Sequence, residues 1–105
     1  MKSSEVAEAI GVLETELPSD VERGLRDLAV KEEGLAAEVL EIILANIDCA
    51  RKGRVPICQD TGSLVFFLSS GHCHTGQRDA IAEGVRMATG SVPLRANTVN
   101  PFTRE

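Results

Sequence analysis

From Glu33 to Arg51, apolar residues recur at spacings of three and four: Leu35, Val39, Ile42, Ile43, Ile47 and Ala50. In an α-helix these positions share one stripe, whereas in a strand they would scatter over both faces. Glu38, Glu41 and Asp48 fall off the stripe. Arg51 and Lys52 stand where cations complement the carboxyl end of the helix dipole, and Gly53 is a stop signal. The pattern predicts a helix over residues 33–52, and any fold of this chain has to find cover for its apolar side.

Three further segments have helical spacing. Residues 4–16 place Val6, Ile10 and Leu13 on one face, with Ser4 as N-cap and Pro18 closing the segment. Ser19 or Asp20 then caps a second run through Val21, Leu25 and Leu28 to Lys31. Ile81, Val85 and Ala88 predict a helix over 76–90, ended by Gly90. Between them, Leu64-Val65-Phe66-Phe67-Leu68 is short and wholly apolar, which predicts a buried strand near 64–69. Ser69 to Gly76 has loop composition, and the last fifteen residues, with Pro93 and Pro101, are expected to be extended or irregular. The expected fold class is mixed α/β (α+β), dominated by helices. No repeat or low-complexity tract interrupts it.

A chain of 105 residues makes one domain at most. Its only aromatics are three Phe, so its core must be aliphatic. The formal net charge of −5 argues against a nucleic-acid partner. That charge is uneven: residues 1–50 hold 12 acids and 4 bases, whereas residues 51–105 hold 4 acids and 7 bases. The basic half suits a small anionic ligand better than a polyanion. Met1 to Ile10 contains Lys2, Glu5 and Glu8, so no secretory leader is expected, and no run approaches a membrane span. Three cysteines, Cys49, Cys58 and Cys73, do not close a disulfide framework, and a cytoplasmic location is expected.

Chemistry concentrates in Pro56-Ile57-Cys58-Gln59-Asp60-Thr61-Gly62. A thiol, an amide, a carboxylate and a hydroxyl follow one another, and the glycine permits an unusual backbone angle or a close ligand approach. The segment lies between the long helix and the apolar run, where scaffolds commonly hold reactive groups. Taken alone, it is equally readable as a polar turn with a buried cysteine. Cys49 falls within a helix and is read as a structural thiol. His72-Cys73-His74 suggests a metal, but adjacent side chains on an extended loop splay apart and no fourth ligand is evident.

The Pro56–Gly62 segment followed by an apolar run resembles the signature of the class I, oxygen-sensitive fumarases and the L-tartrate dehydratase alpha subunits. A second ordered match follows in Gly84-Val85-Arg86 and Pro93-Leu94-Arg95-Ala96-Asn97-Thr98-Val99, with Pro101 and Thr103-Arg104-Glu105 beyond it. The resemblance runs from about Leu35 to the end. It implies that residues 1–105 are an incomplete, amino-terminal fragment of an iron–sulfur hydro-lyase alpha-type catalytic domain. It also implies a [4Fe–4S] cluster held by three cysteines, of which Cys58 matches the first, the others coming from sequence not present here. On the same grounds Asp60 is the catalytic residue that helps handle the proton, Gln59 and Asp60 belong to the substrate pocket, and Arg95 pairs with a substrate carboxylate. Asn97 would orient the loop of Arg95, and Thr61 and Gly62 would shape the Cys58 turn. Asn100 departs from the family, which usually has Asp before the proline.

The implied activity is reversible addition or removal of water on a small dicarboxylate, fumarate/malate or tartrate/oxaloacetate, with the rest of the alpha region and a beta subunit or domain as partners in an oligomer. Alone, the fragment is expected to be inactive. Two other readings stand beside this one. The chain could be a truncated, non-catalytic homologue acting as a binding or assembly module. It could also be a cysteine nucleophile enzyme using Cys58 and a loop histidine, which has no motif behind it.

Overall fold

The computed structural model describes residues 1–59, 62–69, 76–94 and 102–103. Among the described residues four helices form where the spacing calls for them: α1 (Ser3–Thr15), α2 (Ser19–Lys31), α3 (Gly34–Gly53) and α4 (Gln77–Ser91). Each expected boundary is met within a residue or so. The caps differ. Lys2, not Ser4, is the N-cap of α1, and its backbone N–H donates to the Glu5 carboxylate at 2.6 Å. That bond satisfies one of the donors a helix start leaves open. Pro18 is the N-cap of α2, so Ser19 is already helical.

At the end of α3 the left-handed residue is Arg54, at φ 49°, rather than Gly53. The Val55 N–H closes the turn onto the Ala50 carbonyl at 3.1 Å. Such a conformation costs a non-glycine residue roughly 1–2 kcal/mol. The Arg54 side chain meanwhile reaches over α1, within 3.5 Å of the Glu8 carboxylate.

Helix α1 packs against α4, and α2 against α3, with a lighter contact between α1 and α3. Val6, Ile10 and Ala88 form the buried centre of the first pair, surrounded by Ala7, Leu64, Ile81, Val85 and Leu94. Leu13 shares the angular stripe of Val6 and Ile10 but is 65% exposed. Toward its carboxyl end the buried side of α1 shifts to Gly11 and Thr15. Gly11 there faces Arg54 and Val92.

In α3 the expected stripe is buried only at Ile47 and Ala50, while Leu35, Val39, Ile42 and Ile43 remain open to solvent. The end of α2 lies beside this half of α3, but Leu28 shares an open pocket with Leu35, Val39 and Leu40 rather than closing over them. The radius of gyration is accordingly 17.2 Å, against about 13 Å for a compact domain of this length.

Ions tie α2 to the second half of α3. Glu22 accepts from both Arg51 and Arg26, and Arg26 also reaches Asp48 at 3.2 Å. Chiefly through its bond to Arg51, and then Arg26, the Glu22 carboxyl is pulled from 4.5 down to about 2.

The strand expected at 64–69 is not formed. These residues are described, and no strand occurs among the described residues. Leu64 tucks onto the α1/α4 core, but Val65 is 70% and Phe67 93% exposed. An apolar run becomes a strand only when a neighbour takes up its N–H and C=O groups, and no described segment lies alongside to do so. Helix dominance holds; the β component of the expected mixed class does not form within these residues. No described helix is long and apolar enough to cross a membrane.

Candidate functional site

The Pro56–Gln59 segment emerges directly from the α3 turn, and two helices grip it at one residue, Ile57. The Ile57 N–H donates to the Glu14 carbonyl at 3.0 Å, using an acceptor that the last turn of α1 leaves unpaired within the helix. The Ile57 carbonyl accepts from the side-chain amide of Asn46 on α3 at 2.9 Å. Both polar groups of the residue before Cys58 are thus engaged from opposite sides. Pro56 and Ile57 are half-buried, while Cys58 and Gln59 turn outward to solvent.

An open pocket of about 480 Å³ lies here, lined by Asn46, Pro56, Ile57, Cys58, Gln59 and Pro93. Pro93 reaches it from the far side of the chain. The last turn of α4 ends at buried Val92, whose N–H bonds the Ala88 carbonyl at 2.8 Å. A tight turn follows, with the Leu94 N–H on the Val92 carbonyl at 2.7 Å. Pro56–Gln59 of the first motif and Pro93 of the second therefore line one pocket although they are distant in sequence.

Among the expected site residues, Cys58 and Gln59 border this pocket. Asp60 and Arg95 lie outside the described residues, as do Thr61, His72, Cys73, His74, Asn97, Asn100 and Arg104. Cys49 is also an exposed thiol, but it lines a separate hollow with Asp48 and Lys52. Among the described residues no group of three His, Cys, Asp or Glu gathers into a metal cage.

Sequence reasoning missed Asn46 and the lining role of Pro93. Asn46 had one visible signal. It continues the Leu35, Val39, Ile42 series at a spacing of four, so a carboxamide stands where a further apolar residue would extend the stripe. Asparagine is a poor helix former, and its presence mid-helix calls for a partner.

The sequence profile of the family described as Fumarate hydratase (Fumerase) matches residues 3–105. A protein of Methanocaldococcus jannaschii named as an L(+)-tartrate dehydratase alpha subunit is 39% identical over 95 residues, covering 85% of this chain and 33% of the relative. The L(+)-tartrate dehydratase alpha subunit of Escherichia coli K12 is 31% identical over 101 residues, 92% of this chain and 33% of the relative. A Geobacillus stearothermophilus protein named as a class I fumarate hydratase is 34% identical over 95 residues, 87% of this chain and 18% of the relative. The chain thus spans about a third of the length of the two tartrate dehydratase relatives.

Proposed function

The chain belongs to the fumarate hydratase family, and from that premise we propose that it forms the Cys58-bearing opening portion of a hydro-lyase alpha region acting on a small dicarboxylate. The observation that carries the reading is the convergence of Pro56–Gln59 and Pro93 on one open pocket. Catalysis needs groups from separate segments held around one reacting centre, and a pocket lined from both segments supports that reading.

The donor set of the described residues fits one corner of an iron–sulfur cluster. Cys58 presents an exposed thiol at an open pocket, and no second described cysteine borders it. Cys58 would hold one iron of a [4Fe–4S] cluster, with two thiolates supplied by the remainder of the alpha region. When bound, such a cluster supplies a Lewis acid for the substrate hydroxyl and carboxylate.

The chain's own residues do the rest. Gln59 donates its amide to a substrate carboxylate. Asp60 handles the proton of the C–H beside a carboxylate, directly or through a hydroxyl of the remaining alpha region. Arg95 forms a charge-assisted fork with the other carboxylate and opposes the negative charge that builds as the proton leaves. The substrate pair is fumarate/malate or tartrate/oxaloacetate. A cytoplasmic location and a beta subunit or domain as partner belong to the same reading. In that assembly the Leu64–Leu68 run finds its strand neighbours, which restores the mixed α/β class, and residues 1–105 form the first part of one catalytic domain.

Anaerobic reconstitution tests this. Within the complete alpha region, Cys58→Ser should abolish cluster binding and hydro-lyase activity together, while Asp60→Asn should keep the cluster and lose turnover. The 105-residue chain alone should hold no stoichiometric cluster. Full cluster content and activity in the Cys58→Ser protein would refute the reading.

A further inference from the structure

Cys58 directly follows a residue, Ile57, whose two main-chain hydrogen-bonding groups are both taken. The Glu14 carbonyl of α1 holds the Ile57 N–H at 3.0 Å, and the Asn46 amide of α3 holds the Ile57 carbonyl at 2.9 Å. Of these two bonds, only that of Asn46 depends on a side chain. Asn46 itself is exposed and lines the same pocket as Cys58 and Gln59. The α1 bond fixes the height of the loop over the helices. The Asn46 bond fixes the rotation of the Ile57–Cys58 peptide and hence the direction in which the Cys58 Cα–Cβ bond leaves the backbone. We propose that Asn46 is the positioning residue of the Cys58 loop, aiming the thiolate into the pocket from a rigid helix. The inference rests on the reading of Cys58 as a cluster ligand. It adds a residue that acts through the Ile57 carbonyl. Ligands held by helices keep tighter geometry than ligands on unsupported loops.

Asn46→Asp keeps the shape but replaces the donor with a carboxylate that repels the Ile57 carbonyl. Asn46→Ala removes the side chain and favours the helix, so α3 is retained. In the 105-residue chain the Ile57 N–H keeps its Glu14 partner, but a loop that has lost its Asn46 anchor should open more often, so hydrogen exchange at the Ile57 amide should quicken by roughly five- to tenfold in both variants, the size of one lost anchoring bond. Amides of α1 and α4 should exchange as in the parent. In the cluster-loaded complete protein, both variants should release iron to a chelator faster than the parent. Unaltered exchange at Ile57 in both variants would overturn the proposal. So would faster exchange with iron release at the parental rate while Cys58→Ser abolishes the cluster. A Cys58→Ser protein that keeps its cluster would instead remove the reading of Cys58, a result separable from the exchange data.

Discussion

A Cβ built on Gly84 of α4 would stand 2.5 Å from the Cβ of Val6 and 2.7 Å from the Ser3 carbonyl oxygen of α1. The two helix backbones approach here as closely as a missing side chain allows, and Gly84 belongs to the Gly84-Val85-Arg86 motif. The atoms met are the Val6 Cβ and Cγ1 and a backbone oxygen, and neither the Cβ nor the oxygen can swing away. Gly84→Ala should therefore destabilise the chain by about 1–3 kcal/mol through overpacking, even though alanine favours the helix. Gly24 in α2 has nothing within 4 Å of its Cβ position. Gly24→Ala should stabilise by roughly 0.5–1 kcal/mol. Urea unfolding midpoints of opposite sign for the two substitutions would check the helix approach.

The α3 stripe supplies a second contrast. Ile47 is 1% exposed and Ile42 is 69% exposed, although the two stand on one sequence pattern. Ile47→Ala should cost about 2–4 kcal/mol, the range for emptying a buried aliphatic site. Ile42→Ala should change stability in the isolated chain by less than about 0.5 kcal/mol. Equal effects would mean that the apolar face is buried along its whole length.

Acid should weaken the α2–α3 pairing through Glu22. Its carboxyl is held at about 2 in the folded chain by Arg51 and Arg26, against 4.5 unperturbed. A depressed carboxylate pKa contributes stability that is complete above the unfolded value and is lost as pH falls from about 4.5 toward 2. Glu22→Gln should flatten the pH dependence of the thermal midpoint in that window. The parental slope should also shrink in high salt, because both arginines are substantially exposed.

Helix existence was legible because a period of 3.6 depends only on neighbours along the chain. Where each helix found cover was not. Ile47 and Ile42 obey the same periodicity, and only the reach of other elements separates them. The caps at Lys2 and Arg54 escaped for a related reason. Their geometry is chosen by bonds to Glu5 and Ala50 and by the reach of the Arg54 side chain, which override the usual preference for Ser and Gly. Leu64–Leu68 is apolar enough for a strand, yet a strand is a property of a pair. In the candidate site, the Cys58-Gln59 turn announced itself through residue types packed into a few positions. Asn46 is one carboxamide on a helix, and its role is visible only once the Ile57 carbonyl lies beneath it.

Pro93 borders the pocket of Cys58 and Gln59, and Arg95 follows two residues later in the sequence. If Arg95 forks onto a substrate carboxylate, charge alone will not replace it. Lysine offers a single ammonium where the planar guanidinium bonds two oxygens at once. Losing a charge-assisted hydrogen bond typically costs about 1.5–3 kcal/mol, so kcat/KM of the complete enzyme should fall roughly ten- to a hundredfold in Arg95→Lys. Iron content should match the parent, because arginine is no cluster ligand. The fork also predicts selectivity. A substrate analogue with one carboxylate replaced by a neutral amide has already lost the partner of Arg95 or of Gln59. Arg95→Lys should then harm the reaction of one singly amidated analogue far less than that of the dicarboxylate. An equal fall for every analogue would place Arg95 outside the carboxylate pocket, and iron loss in Arg95→Lys would place it in the support of the cluster loop.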